Sequence, residues 1–224
     1  MKNLKFFAAF LLSAAGWAQT VPAASITAIG TASVSASPDL ARVDIGVVTQ
    51  AANAQDATVQ NAAQAGAVIT ALQGVLGANA SIKTISYSLS PVYNNPPNGQ
   101  SASIIGYTVT NIVEVTLTDL SQTGKVIDTS IQSGANRVQG ISFDLQNRDP
   151  LVAQALKAAA ASAKSQADAI ASGLNVHTGA VLHASESVNS PVPVLVAGAA
   201  TSTPIQTGQV IVQASVTAEF AITP

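Results

Sequence analysis

The chain contains no cysteine, so a disulfide framework, a thiolate metal site and a lipid-anchored cysteine are all excluded. Aromatic residues make up only 4% of it, and a core must therefore be built from Ala, Val, Ile and Leu rather than from rings. Small side chains favour close backbone approach. Charge is scarce too: 9% of residues are ionised, well below the usual quarter, which leaves a surface of Ser, Thr, Asn and Gln with weak self-repulsion. Such a surface tolerates self-association. The formal charge of −2 argues against nucleic acid as a partner, because phosphates demand clustered Lys and Arg.

Catalytic signatures are missing as well. There is no Walker loop, dinucleotide glycine fingerprint, HExxH, calcium loop or nucleophile elbow. His177 and His183 are the only histidines and read as surface or edge-strand residues rather than as metal ligands. Asp39, Asp119 and Asp149 fall at turns or helix starts, Glu114 and Glu219 on the wet phase of strands, and Glu186 has no assigned place. Tyr87, Tyr93 and Tyr107 share the apolar phase of their strands and are expected in the core. No catalytic, cofactor or metal residue is assigned, and the expectation is a non-enzyme without cofactor.

What is present begins with a leader. Lys2 and Lys5, the apolar run Phe6 to Leu12 and the small-x-small group Gly16, Trp17, Ala18 form the order of an export signal, with cleavage expected after Ala18. About ten apolar residues are too few to span a ~30 Å hydrocarbon core. Loss of residues 1–18 would take the formal charge from −2 to −4. The mature chain, 19–224, suits one large domain or two fused small ones.

Alternation at period two marks strands. Ile26, Ala28, Gly30, Ala32, Val34 and Ala36 alternate with Thr27, Thr31, Ser33 and Ser35, and Pro38-Asp39 then leads into Val43, Ile45 and Val47, which reads as an opening hairpin. The runs from Ile105 to Leu117 and from Val210 to Ile222 behave likewise. Three segments change to period 3.6. The first starts near Asn53 with the stripe Ala65, Val68, Ile69, Leu72, Val75, Leu76, and the second is capped by Asp119, with Leu120, Ile127 and Ile131 facing in. The third has Asp149 as N-cap, Pro150 at its first position, and the stripe Val152, Leu156, Ala159, Ala163, Ala167, Ile170, Leu174.

The resulting order, β-β-α-β-loop-β-α-β-α-β-loop-β, contains β-α-β-loop-β twice, at about 41–118 and 135–223. An internal repeat is expected, with an antiparallel-rich sheet carrying helices on one face, hence an α+β fold. Each unit ends in a long hairpin with a Pro-rich tip, Asn94 to Gln100 and Ser190 to Thr207.

Several short stretches carry a family pattern in this order: Ile29-Gly30, Ser37-Pro38-Asp39-Leu40-Ala41, Ser90-Pro91-Val92-Tyr93, Ile105-Gly106-Tyr107, Ile127-Asp128, Ser133-Gly134-Ala135 and the helix from Ala155-Leu156 to Ala171. Together they resemble the SIMPL-domain family, across nearly all the mature chain. The second glycine usual after Gly30 is Ala32 here, and Pro191 to Thr203 is unusually apolar. The resemblance implies a periplasmic protein that forms ring-like, channel-shaped homo-oligomers, is loosely linked to stress tolerance, and has no agreed substrate or catalytic residue.

Two functions therefore compete. One is a homo-oligomeric envelope scaffold; the other is a monomeric or dimeric module that touches another envelope protein, or the outer membrane, through its hairpin tips. The candidate contact residues are Val192, Val194, Leu195 and Val196, expected beyond the regular strands.

Overall fold

The computed structural model describes residues 24–77, 81–94, 101–194 and 207–224, with backbone alone at 190–194. The expected leader at 1–18 lies outside them. Strands β1 (Ser25–Ala36) and β2 (Leu40–Ala51) precede helix α1 (Ala54–Leu76); β3 (Ser81–Asn94) and β4 (Ser103–Leu117) follow. A single 3-10 turn, Leu120–Gln122, opens α2 (Thr123–Gln132), and then come β5 (Arg137–Asp144), α3 (Asp149–Gly173), β6 (His177–Val194) and β7 (Gln209–Thr223).

The helix ends follow from their capping residues. Asn53 accepts the Asp56 amide at 2.8 Å, and Asp119 accepts the Ser121 amide while Gln122 Nε2 donates back to it at 2.9 Å. Gly134, with φ of 112°, takes the left-handed position after α2. Asp149 is the first residue inside α3 rather than its cap, and its amide donates to Asn147 Oδ1. In α2 the buried face is Val126, Ile127 and Ser130, whereas Ile131 points to solvent.

The strands divide into two antiparallel sheets, β1-β7-β6 and β3-β4-β2-β5, each with its helices on one face. The α+β class and the antiparallel pairing are as expected. The opening hairpin is not: β1 pairs with β7 and β2 with β4 and β5, so the chain passes from one sheet to the other at Ser37–Asp39. A hairpin needs both strands to bury the same face against one core, and here each strand finds a separate core. In sheet order β5 stands beside β2, while β1 occupies the place beside β7.

The first core packs Val43, Ile45 and Val47 of β2, and Val113 and Val115 of β4, under Val68 and Leu72 of α1 and Val126 of α2. The second is nearly ring-free. Leu151, Ala155, Ala159, Ala163, Ala167 and Ala171 of α3 are its helical face, against Ile26 and Ala28 of β1 and Val212, Val216 and Phe220 of β7.

That face repeats every fourth residue, not by threes and fours. Leu156 is only half-buried, and Ile170 and Leu174 are exposed, Leu174 by 62%. A four-residue step advances about 40° around an α-helix. The i, i+4 row is thus inclined to the axis, and α3 lays this ridge along a twisted sheet. Because every residue of the row after Leu151 is Ala, α3 approaches β1 closely enough that a Cβ on Gly30 would lie 2.1 Å from the Ala159 carbonyl oxygen. Ala159→Leu should therefore cost about 3 kcal/mol by overpacking, while Leu174→Ser should stay within about 0.5 kcal/mol, both measured by urea unfolding. The reverse ranking would place α3 on a different face.

A polar junction joins the halves. Asp144, at the end of β5 and 5% exposed, accepts Arg42 Nη1 of β2 at 3.1 Å, Arg148 Nε at 2.7 Å and the Leu145 amide at 2.8 Å. Its carbonyl takes the Asp39 amide at 3.0 Å, and the Asp39 carboxylate accepts the Gln146 amide at 2.7 Å. The inter-sheet link and the start of α3 are thereby fixed to one residue.

Candidate functional site

An α-helix with its side chains is about 10 Å across, and strands lie about 4.8 Å apart, so one helix covers about two strands. The second sheet core draws on β1 and β7 under α3, with nothing from β6. In the first, α1 and α2 cover β2, β4 and β5, and β3 contributes only the half-buried Ile82 at its start. The outer strands β3 and β6 are consequently left without helical cover along most of their length.

On β3 this exposes apolar side chains. Tyr87 is 53% and Leu89 44% exposed, Tyr93 lies similarly open, and Ile104 and Ile105 of β4 continue the patch toward the hairpin end. The expectation that Tyr87 and Tyr93 pack in the core is overturned, and Tyr107 is only half-buried. Alternation correctly gave their strand phase. What it could not give was whether a helix lies above that phase.

Among the described side chains of β6, the large apolar ones that are exposed include Val181, Leu182 and Val188. Val192 and Val194 do not lie beyond the regular strands; they belong to β6, opposite Ile211 and Gln209 of β7. A register shift between Asn189 and Val192 absorbs Pro191, and Pro193 is tolerated because β6 is an edge strand whose outer side needs no ladder amide. Leu195 and Val196 lie outside the described residues. Pro91 and two register shifts interrupt β3 in the same manner. Such interruptions discourage indiscriminate edge pairing while leaving side chains presented.

Ionisable groups do not converge here. His177 lies opposite Thr223, and His183 lies opposite Glu219. Lys164 of α3 stands 5.7 Å over the Phe220 ring and bonds Asp168 and Thr178, holding the C-terminal half of α3 on the start of β6. Its ammonium and the Thr178 hydroxyl keep the Asp168 carboxyl below its ordinary range. Among the described residues no three His, Cys, Asp or Glu side chains group as metal ligands, and no helix is long and apolar enough to cross a membrane.

Residues 26–220 match the family described as SIMPL, protein of unknown function (DUF541). The chain belongs to the SIMPL family. The matched span opens and closes on a strand pair, since Ile26 of β1 lies opposite Phe220 of β7. The SIMPL stretches identified in the sequence acquire physical roles: Gly30 admits α3, Ser37 to Ala41 carries the chain between sheets, and Ser90 to Tyr93 lies on the open edge of β3. The 26 kDa periplasmic immunogenic protein of Brucella melitensis is 30% identical over 183 residues, covering 80% of this chain and 72% of its own. The uncharacterized protein YggE of Escherichia coli K12 is 31% identical over 156 residues, 70% of this chain and 63% of its own.

Proposed function

We propose that this SIMPL protein is a non-catalytic component of the bacterial envelope, exported to the periplasm, that works as a homo-oligomeric scaffold. The carrying observation is the apolar patch of Tyr87, Leu89, Tyr93, Ile104 and Ile105, which no element among the described residues covers. A water-facing group of this kind is a contact surface. The sparse charge of the chain imposes little repulsion between copies. The periplasmic placement draws on the leader and on the name of the Brucella relative.

Light scattering coupled to size exclusion, on protein beginning at Gln19, tests the reading. The parent should elute at a multi-subunit mass, and Tyr87→Lys combined with Leu89→Lys should lower that mass while leaving the far-ultraviolet circular dichroism unchanged, because both side chains are surface-exposed. A monomeric parent sinks the scaffold and favours the second reading, a binding module that meets another envelope protein through its hairpin ends. Val188 and the exposed side of β6 are the support for that alternative.

A further inference from the structure

The face of the β1-β7-β6 sheet turned away from α3 is built differently from the apolar patch. Its residues form cross-strand rows: Thr31, Ser215 and Ser187 make one, and Ser33, Gln213 and Asn189 the next. These six side chains line an open hollow of about 450 Å³, floored by the backbone near Ala32 and Ala214. Pockets for small ligands fall in the range of about 300–1,000 Å³.

The chemistry of the lining is narrow. Four hydroxyls can each donate and accept, and two carboxamides each present one carbonyl acceptor beside an NH2 donor pair. Adjacent rows are two residues apart along a strand, about 7 Å, and adjacent strands are about 4.8 Å apart. Among the described residues, the side-chain hydrogen bonds on this face, Ser25 Oγ to Glu219 Oε1 and Thr223 Oγ1 to the His177 carbonyl, lie toward its far end, and none engages the six. None of the six is charged. Glu219, four residues from Ser215, is about 13 Å away along β7, and Glu186 lies opposite Val216, on the helix-facing side.

We infer that this hollow binds a neutral, polyhydroxylated chain, a glycan of uncharged sugars. A carboxamide meets two neighbouring sugar hydroxyls with complementary hydrogen bonds, its carbonyl accepting from one while its NH2 donates to the other. The row Ser33, Gln213, Asn189 sets two such carboxamides beside a hydroxyl, and the row Thr31, Ser215, Ser187 adds three more hydroxyls, a repeat of neutral polar groups that a chain of sugar rings can follow. An anionic or cationic ligand would lose its hydration there without gaining a counter-charge. With no aromatic platform in the hollow, hydrogen bonds carry the recognition and the affinity is modest. The surface lies on a sheet face, apart from the β3/β4 patch, so the inference holds for a monomer and for an assembly alike.

The test is titration calorimetry, with amide chemical shifts as a second readout, on protein beginning at Gln19. The probes are the hexamer of N-acetylglucosamine and maltohexaose. Gln213→Ala with Ser215→Ala should weaken binding tenfold or more, the loss of two or more hydrogen bonds. Thr110→Ala, on the open face of the other sheet, should leave it unchanged. Binding of both sugars supports a site for neutral glycans in general, and binding of the acetylated hexamer alone supports a site for amino-sugar chains. Absence of binding by either, or binding that the double substitution does not weaken, overturns the inference.

Discussion

Gly30→Ala destabilises the protein by about 4 kcal/mol or more, seen as a large fall in the urea midpoint or loss of the cooperative transition. The added methyl carbon would stand 2.1 Å from the Ala159 carbonyl oxygen, 2.2 Å from the Ala163 amide nitrogen and 2.8 Å from the Ala163 Cα. All three are backbone atoms. No side-chain truncation on α3 can make room, so the double variant Gly30→Ala with Ala163→Gly should be no more stable than Gly30→Ala alone. Relief requires α3 to move off β1, which opens gaps along the whole row Ala155, Ala159, Ala163, Ala167. A midpoint close to that of the parent would show that β1 and α3 do not touch at this point.

Asp144→Asn weakens the fold by an amount that depends on pH. Burial opposes ionisation of Asp144, but the hydrogen bonds from Arg148, the Leu145 amide and Arg42 outweigh it and bring the carboxyl from 3.8 to about 2. A carboxyl depressed on folding stabilises above its unfolded pKa, and the contribution disappears as pH falls through the folded value. The parent should therefore exceed the variant by on the order of 2 kcal/mol at neutral pH, with the difference shrinking between about pH 4 and pH 2. Urea midpoints across that range decide it. A difference independent of pH would mean that the variant acts through shape alone. Arg148 is the complementary half: its bond to Asp144 raises the guanidinium above its ordinary value.

Much of the fold was legible because its signals are local. The change of period from two to 3.6 placed seven strands and three helices in the right order, Asp119 caps where a cap was read, and Asn53 stands where the first helix was read to start. Pro38-Asp39 was read correctly as a break and wrongly as a hairpin. A three-residue link suits either outcome, and the partner of β1 is nearly two hundred positions away, at β7. The Ala row on α3 was half-visible. Ala159, Ala163 and Ala167 were in the expected stripe, with Val152 and Leu156 at its half-buried margin, but Ile170 and Leu174 were added because hydrophobicity ranks them above Ala. Closeness of approach, and not side-chain size, selects that face.

The candidate contact surface was the less legible part. Val192 and Val194 were chosen as apolar residues among prolines, yet their backbone pairs with β7. Tyr87 and Leu89 were passed over because their alternation matches that of any core strand.

By itself, the sequence determined the class of elements, their order, the membership of the SIMPL family and the dependence on small residues, since each rests on patterns within a few turns or strands. Only the tertiary structure decided which strand sits at the edge, which apolar phase has a helix above it, and which hydroxyls line one hollow. Those outcomes depend on pairing over long separations, and on a helix being only about two strands wide, so that β6 of the three-stranded sheet and β3 of the four-stranded sheet keep most of their side chains in water.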